Sequence, residues 1–455
     1  MEVNRTQKPQ PRGKISFTLP KIEKMKLENG LEILFVQKKN LPIIQFTFVS
    51  DAGSRLDPNE KKGISNLLAA LIDEGAGGLD SLRLNDEIES LGSSISIFSD
   101  PDNFFISMLT LTENIDRSLD LLSKIIIRPN LDETDFLREK RKILTRIQQL
   151  KDDPSYIASI IFEKLVYGEN NPYGLPDTGT TTTVGRINLN DVKLFYETLL
   201  TSDNTTLIVV GNYEREPLLE KLNQYLKDWH RYTPPVFDMP ATIQKGSTIY
   251  FINKENASQT ELRIGHVSSG RNAEDFFAKS VMNNILGGQF SSRININLRE
   301  DKGYTYGANS SFSYNRTGGY FGVGTAVKSE NTGSSVVEII KELKGIQDYI
   351  TTKELRFAKS SIIRKYPSLF ETYGQIGRSL ANKVIHSLSD DYYNRYIDNI
   401  KAVTLDDVYA AARNNIFPEK LIILAVGERD LLLGQLESLA IGKVIELNID
   451  GHLES

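Results

Sequence analysis

Two stretches of the chain, INLNDVKLFYETLLTSDNTTLIVVG (187–211) and VTLDDVYAAARNNIFPEKLIILAVG (403–427), align without a gap. Each begins Leu-[Asn/Asp]-Asp-Val, which sets a polar N-cap candidate ahead of a helical run. Each then crosses a polar loop into an apolar, β-branched strand that stops at Gly211 or Gly427. The offset is 216 residues (403 minus 187), and it holds further upstream. There QFTFVSDAGSR (45–55) falls on ELRIGHVSSGR (261–271), an alternating strand running into a small-residue turn. A helix follows in both places, ISNLLAALI (64–72) and FAKSVMNNIL (277–286). The chain therefore encodes one unit of roughly 210 residues twice.

Working outward, LEILFVQ (31–37), IIQFTFVS (43–50) and FFISMLTL (104–111) alternate as strands of an antiparallel sheet. DETDFLREKRKILTRIQQLKDD (132–153) reads as a long charged amphipathic helix. Strands and helices segregate, so the expected class is α+β: two homologous repeats, each an antiparallel sheet packed against several helices. The expected boundaries are a flexible tail over 1–20, repeats over 21–230 and 247–440, a Pro-rich linker RYTPPVFDMPATIQKG over 231–246, and a C-terminal tail over 441–455.

Composition narrows the function. The 455 residues are 40% hydrophobic and 25% charged, as in a soluble globular protein. A net charge of −5 argues against a nucleic-acid surface, and no apolar run approaches the ~18 residues of a membrane span. The N-terminus, MEVNRTQKPQPRGK, has no apolar core for a signal peptide. A cytoplasmic location is expected, or a periplasmic one if a signal was removed before this numbering. There is no cysteine, which removes disulfides, thiolate zinc sites and a cysteine nucleophile. The four histidines, His230, His266, His386 and His452, lie too far apart for a helical metal pair, and His230 and His266 read as structural or exposed singles. Gly75, Gly77 and Gly78 lack the Lys-Ser/Thr of a phosphate loop and read as a turn. The runs LREKRK (137–142) and HSLSDDYYNRY (386–396) read as ordinary solvated helix surface.

In GISNLLAALIDEG (63–75), Ile64, Leu67, Leu68, Leu71 and Ile72 form one buried face, with Asn66, Ala69 and Ala70 opposite. By periodicity alone this is a core helix with a small-residue back. The run DAGSRLDPNEKKGISNLLAALIDEGAGG (51–78), however, resembles the insulinase/pitrilysin-type peptidases, in particular their bacterial, mitochondrial-processing-peptidase-like branch. Active members carry the inverted zinc motif G-x-x-H-x-x-E-H on this helix, two His for Zn²⁺ and a Glu as general base. The resemblance aligns Asn66 and Ala70 with the His slots, Ala69 with the Glu, and Arg146 with the third ligand. Alanine neither coordinates a metal nor moves a proton, and no His precedes residue 230. An independent zinc peptidase is excluded on these grounds, and zinc is expected only in a partner.

The resemblance continues through NPYG (171–174) and VMNNILGGQFSSRININLREDKGYTYGANSSFS (281–313). Within the latter, LREDKGYTY fits the family pattern L-R-E-x-x-G-x-x-Y, with Arg299 and Tyr306 as its Arg and Tyr. In two-chain bacterial members one subunit has the zinc motif and its homologue has this pair. The resemblance implies a chamber-forming heterodimer in which Arg299 and Tyr306 hold an unfolded peptide. The side-chain chemistry suits such a role, since a guanidinium is a fixed planar donor fork and a phenol is a neutral donor on a rigid ring. Gly303 permits the sharp helix-to-strand turn, after which period two puts Tyr304 and Tyr306 on one face with Thr305 opposite. The plainer alternative pairs Arg299 with Glu300 or Asp301 at the surface and uses the tyrosines for packing. The rival function is a structural or peptide-binding homologue like the core subunits of respiratory complexes, and a homodimer remains open.

Overall fold

A computed structural model describes residues 19–234 and 246–454. Residues 1–18 of the tail expected over 1–20 and 235–245 of the linker expected over 231–246 lie outside the described residues. In the first half run β1 (Ile22–Lys26), β2 (Glu32–Gln37), β3 (Ile43–Ser50), the small hairpin β4 (Gly75–Ala76) and β5 (Leu79–Asp80), then β6 (Ser94–Ser99), β7 (Phe104–Leu111) and β8 (Thr205–Gly211). In the second run β9 (Thr248–Asn253), β10 (Thr260–Ser268), β11 (Thr305–Asn315), β12 (Gly318–Val327), β13 (Ile422–Gly427) and β14 (Val444–Leu447).

The strands form two six-stranded sheets, ordered β1-β2-β8-β3-β7-β6 and β14-β9-β13-β10-β12-β11. The same positions are filled by strands 216 residues apart, as the repeat requires: β2 and β9 match residue for residue. The expectation of purely antiparallel sheets needs correction. β2 pairs with β8 in parallel, as do β9 with β13 and β9 with β14. The reason is the long run of helices between those strands, which returns the chain in its original direction as a crossover.

The expected C-terminal tail is also corrected. Val444–Leu447 takes the edge place in the second sheet that β1 takes in the first. The two edges run in opposite senses, because one strand enters its unit and the other leaves it. β6 and β1, both edge strands, have no counterpart among the expected strands; their polar alternation (SISIFS in β6) carries little apolar signal.

Each sheet packs one face on its own helices. In the first unit Phe46, Phe48, Phe104 and Leu207 meet Leu67, Leu71 and Leu122 in one core. In the second, Ile264, Phe321 and Ile423 meet Val281, Met282 and Ile339. The other faces are covered by exchange. Helix Tyr373–Ile385 from the second half lies on the first sheet, in one cluster with Leu34, Val36, Ile208 and Val210, and Tyr393 of helix Tyr392–Ala402 joins that cluster beside Phe370. Reciprocally, helix Pro154–Tyr167 from the first half lies on Ile252, Leu424 and Val426 of the second. Being covered on both faces, β8 and β13 are continuous apolar runs.

The run 386–396 is therefore not a solvated surface. Tyr393 is buried in the exchanged core, stacked edge-on to Phe370, and its hydroxyl donates to the Ser379 carbonyl. Tyr373 reaches across to the first half, accepting from the Leu41 N–H at 3.0 Å and donating to the Lys38 carbonyl at 3.1 Å.

A polar joint completes the clasp. The β11–β12 turn presents Arg316, whose N–H donates to Asp102 at 3.1 Å and whose guanidinium donates to Asn103 at 3.0 Å. Asp102 also accepts from Arg55 (3.0 Å) and from the Tyr173 hydroxyl (2.5 Å). Among the described residues no helix is long and apolar enough to cross a membrane.

Candidate functional site

Helix Ile64–Leu71 buries Ile64, Leu67, Leu68, Leu71 and the following Ile72, as its periodicity requires. Its entry is built by Gly63, at φ +108°, where an added Cβ would strike the Thr178 carbonyl. Asp57 caps the free amides, accepting from Gly63 N–H (2.8 Å) and Ser65 N–H (3.1 Å). Burial pushes the Asp57 carboxyl up to about 7, against the pull of nearby Lys62 and these donors. Lys62 is itself buried and donates to the Ser54 and Pro172 carbonyls at 2.6 and 3.0 Å; burial lowers its pKa.

On the opposite face the four slots that matter are occupied as follows. Asn66 donates its amide to the Asp177 carbonyl at 2.8 Å, so its side chain is committed to the loop beyond. Ala69 is buried and Ala70 half-buried. Arg146, on helix Glu133–Leu150, points to solvent. The buried carboxylate of that helix is instead Glu139, neutralised by Arg138 (3.0 Å) and Lys142 (2.7 Å). Nothing in the set Asn66, Ala69, Ala70, Arg146 supplies an imidazole or a carboxylate, so these residues do not fit zinc. Among all described residues no three His, Asp or Glu side chains are grouped to hold a metal ion.

The second half is different. After helix Phe276–Leu286 the chain passes through Phe290 and a short turn, Arg293–Asn295, into a π-helical turn, Ile296–Asp301. Such wide turns are rare and concentrate at functional sites. Arg299 sits on it, 4.4 Å from the centroid of the Phe290 ring and 3.4 Å from the Glu300 carboxylate. The surface pair with Glu300 is thus present, but the guanidinium also stacks on an aromatic that is itself 68% exposed. Gly303 follows at φ +67°, the left-handed conformation its position predicts.

Strand β11 then opens on an irregularity. Thr305 faces Val327, but Ala308 faces Thr325, so Tyr306 and Gly307 together oppose Ala326. This β-bulge overturns the expected period-two placement. Tyr304 packs against the second core, Thr305 is buried, and Tyr306 stands 88% exposed. Tyr304 and Tyr306 do not share a face.

Hydroxyls hold the bulge. Thr305 accepts the Gly307 N–H (3.1 Å) and donates to the Ala326 carbonyl (2.6 Å), while Thr325 donates to the Gly307 carbonyl (3.0 Å). Asn295 ties it to the Phe290 loop: its Oδ1 accepts the Ala308 N–H (2.9 Å) and its Nδ2 donates to the Phe290 carbonyl (2.6 Å).

Sequence reasoning missed Phe290, Asn295 and the two threonines. An Asn eleven residues before Tyr306 and a lone Phe between Gln289 and Ser291 carry no pattern of their own. Among the described residues no hydrogen bond joins Arg299 to Tyr306; they are linked through the scaffold, by the Tyr304 N–H donating to the Leu298 carbonyl at 2.9 Å.

Fold and site together define an α+β protein of two fused repeats, in whose first half the described residues hold no group of His, Asp and Glu side chains fit for a metal ion. Comparison with known proteins places it further. Residues 35–170 match the model of insulinase, peptidase family M16, and residues 186–362 match that of the peptidase M16 inactive domain. The chain belongs to the M16 insulinase family. It is similar to an uncharacterized zinc protease, YmxG, of Bacillus subtilis (24% identity, covering 86% of this chain and 95% of that one). It is also similar to a non-peptidase homolog, YmxG, of Helicobacter pylori (20% identity, covering 83% and 87%). A solved peptidase M16 inactive domain from Pseudomonas fluorescens superposes with a TM-score of 0.84 at 23% identity over 90% of this chain and 98% of its own.

Proposed function

We propose that the chain is the non-catalytic, substrate-binding subunit of a heterodimeric zinc metallopeptidase acting on unfolded peptides. A homologous subunit carrying the zinc motif supplies the metal and the general base and completes the chamber. This chain supplies Arg299 and Tyr306 to hold the peptide, and itself needs no cofactor. The observation that carries the reading is the contrast between the halves. The first-half slots are committed or inert, with Asn66 bonded to Asp177 and Ala69 and Ala70 without donors. Tyr306, by contrast, is thrust into solvent by a bulge built for the purpose. A cytoplasmic setting belongs to the same proposal.

The test is peptidase activity of this chain, of its zinc-bearing homologue and of their mixture. Activity arises only in the mixture, and Arg299→Ala or Tyr306→Phe lowers it about 10-fold or more, as expected for one lost transition-state donor. Full activity of the homologue alone would overturn the proposal.

A second reading, a structural or peptide-binding homologue without a peptidase role, rests on the Arg299–Glu300 pair at 3.4 Å. It draws support from the likeness to a chain of Complex III2 from Candida albicans (TM-score 0.75, 16% identity, 92% of this chain and 99% of that). Unimpaired function of Arg299→Ala favours it.

A further inference from the structure

We infer that Phe290 is a positioning residue for Arg299: its ring holds the guanidinium so that the terminal nitrogens of the fork meet a backbone carbonyl of a bound peptide. The inference rests on the reading of this chain as a peptide-holding subunit and adds to it the group that gives Arg299 its direction.

Arg299 has little else to hold it. Among the described residues its guanidinium makes no hydrogen bond within the chain, and the nearest carboxylate oxygen is that of Glu300, 3.4 Å from Nε. The Glu300 side chain is 57% exposed, so water and salt screen the pair. On that tether alone a long, flexible stem samples many rotamers. The centre of the guanidinium, however, lies over the Phe290 ring, 4.4 Å from its centroid. The ring occupies one face of the planar group and Glu300 draws its Nε side. Both terminal nitrogens therefore keep their donors for a ligand.

A platform is useful only if it is fixed, and the Phe290 backbone is. Before it, the Ser310 N–H of β11 donates to the Gly287 carbonyl at 3.0 Å, and a Cβ on Gly287 would strike the Ser310 hydroxyl. After it, the Ser292 N–H donates back to the Gln289 carbonyl at 3.1 Å. The Phe290 carbonyl itself accepts from Asn295 Nδ2 at 2.6 Å. Asn295 is buried, and its Oδ1 accepts the Ala308 N–H at 2.9 Å, just past the bulge that projects Tyr306. One buried amide thus sets both the platform under Arg299 and the strand that carries Tyr306, which keeps the two peptide-holding groups in register.

Core packing does not account for the ring, since most of it is exposed. A lone exposed aromatic is ordinary on a protein surface; what is specific here is the cation over it, with its outer donors unspent. Leucine in its place has no ring quadrupole to attract that cation, whereas tyrosine keeps one.

The experiment measures kcat and KM for cleavage of internally quenched fluorescent peptides by this chain mixed with its zinc-bearing homologue. Phe290→Leu, at an exposed position that leaves the core untouched, lowers kcat/KM about two- to fivefold, the worth of an exposed cation–π contact. The loss falls on the same constant, kcat or KM, that Arg299→Ala changes, and it vanishes when Phe290→Leu is placed in an Arg299→Ala background. Phe290→Tyr, which restores the ring, recovers the rate. A second readout needs no substrate. In the full chain the Arg299 Nε–H proton signal, assigned by its loss in Arg299→Ala, is moved upfield by the ring; it stays there in Phe290→Tyr and returns to the position of a free arginine in Phe290→Leu. An active mixture in which Phe290→Leu costs the same with and without Arg299, or costs nothing, overturns this inference alone. So does an Arg299 signal that Phe290→Leu leaves in place. An inactive mixture overturns it together with the reading it rests on.

Discussion

Replacing Thr305 by valine keeps the shape of the side chain and removes one hydroxyl. That hydroxyl accepts the Gly307 N–H at 3.1 Å and donates to the Ala326 carbonyl at 2.6 Å. Both bonds vanish in Thr305→Val, while Thr325 still serves the Gly307 carbonyl at 3.0 Å. Each loss costs about 1 kcal/mol, more where the orphaned group is shut off from water. Gly307 is exposed and its N–H finds water; Ala326 is half-buried and its carbonyl does so less well. The sum is about 2 kcal/mol for holding the bulge. Global melting is a poor detector, since about 2 kcal/mol moves the midpoint of a chain this long by only a few degrees at most. Amide hydrogen exchange at Gly307 and Ala308 is the direct assay. A loss of about 2 kcal/mol raises those exchange rates by about thirtyfold, with β12 and the second core unaffected. Activity of the mixture with the zinc-bearing homologue falls as well, because Tyr306 no longer has a fixed direction. Tyr306→Phe, in contrast, lowers activity and leaves the exchange rates alone. Exchange within about twofold of wild type together with full activity for Thr305→Val would refute the role given to the bulge.

Four further outcomes follow from the same geometry. Burial raises five carboxyls, Asp57 and Glu163 to about 7, Asp73 and Asp100 to about 6, and Asp177 above its usual range, so between pH ~4 and ~7 these groups hold protons in the folded chain that the unfolded chain has lost. Stability therefore falls as pH rises through that window, and a thermal melt at pH 5.5 lies above one at pH 8; a steady rise in midpoint from pH 5 to 8 would contradict it. At the acid end, burial works against Glu354, but donors from Arg293 and Thr351 outweigh it and hold the carboxylate at about 2, so its contribution is lost as pH drops below about 4.5. Asp102→Asn strips the buried Arg55 of one of two carboxylates and weakens the Arg316 contact between repeats, costing about 3 kcal/mol; proteolysis or denaturation that separates the halves earlier than in wild type is the readout. Dialysis of the isolated chain against zinc leaves less than one equivalent bound, measured by atomic absorption, and a stoichiometric ion would falsify the account of helix Ile64–Leu71.

Much of the fold was legible because it is written twice. Two weak patterns at one offset constrain each other, and the capping boxes at Asn188 with Asp191 and Thr404 with Asp407 show the repeat down to individual hydrogen bonds. That Ala69 and Ala70 cannot ligate a metal in any conformation was legible because it depends on residue types rather than on geometry. Where strand chemistry was weak the sequence was silent, as for β6, or misleading, as for Tyr392, Tyr393 and Tyr396. Those tyrosines sit among charged residues because only one side of their helix joins the exchanged cluster, whose strands lie more than 150 residues away in the chain.

By itself, then, the amino-acid order determined the number of repeats, the helices and central strands within them, the lack of ligating side chains at Ala69 and Ala70 and the candidacy of Arg299 and Tyr306. These follow from side-chain chemistry and local periodicity, which short windows contain. Only the tertiary structure decided that the repeats exchange helices, that β14 replaces β1 at the second edge, and that the chain runs parallel at β2 and β9. It alone decided that Tyr306, one residue out of register at a bulge, leaves the side of Tyr304 for solvent. Each of these turns on a contact between residues distant in sequence: Thr305 with Ala326, Arg316 with Asp102, Tyr373 with Leu41. A one-residue shift of register reverses a side chain, and nothing within the strand's own eleven residues states which way it goes.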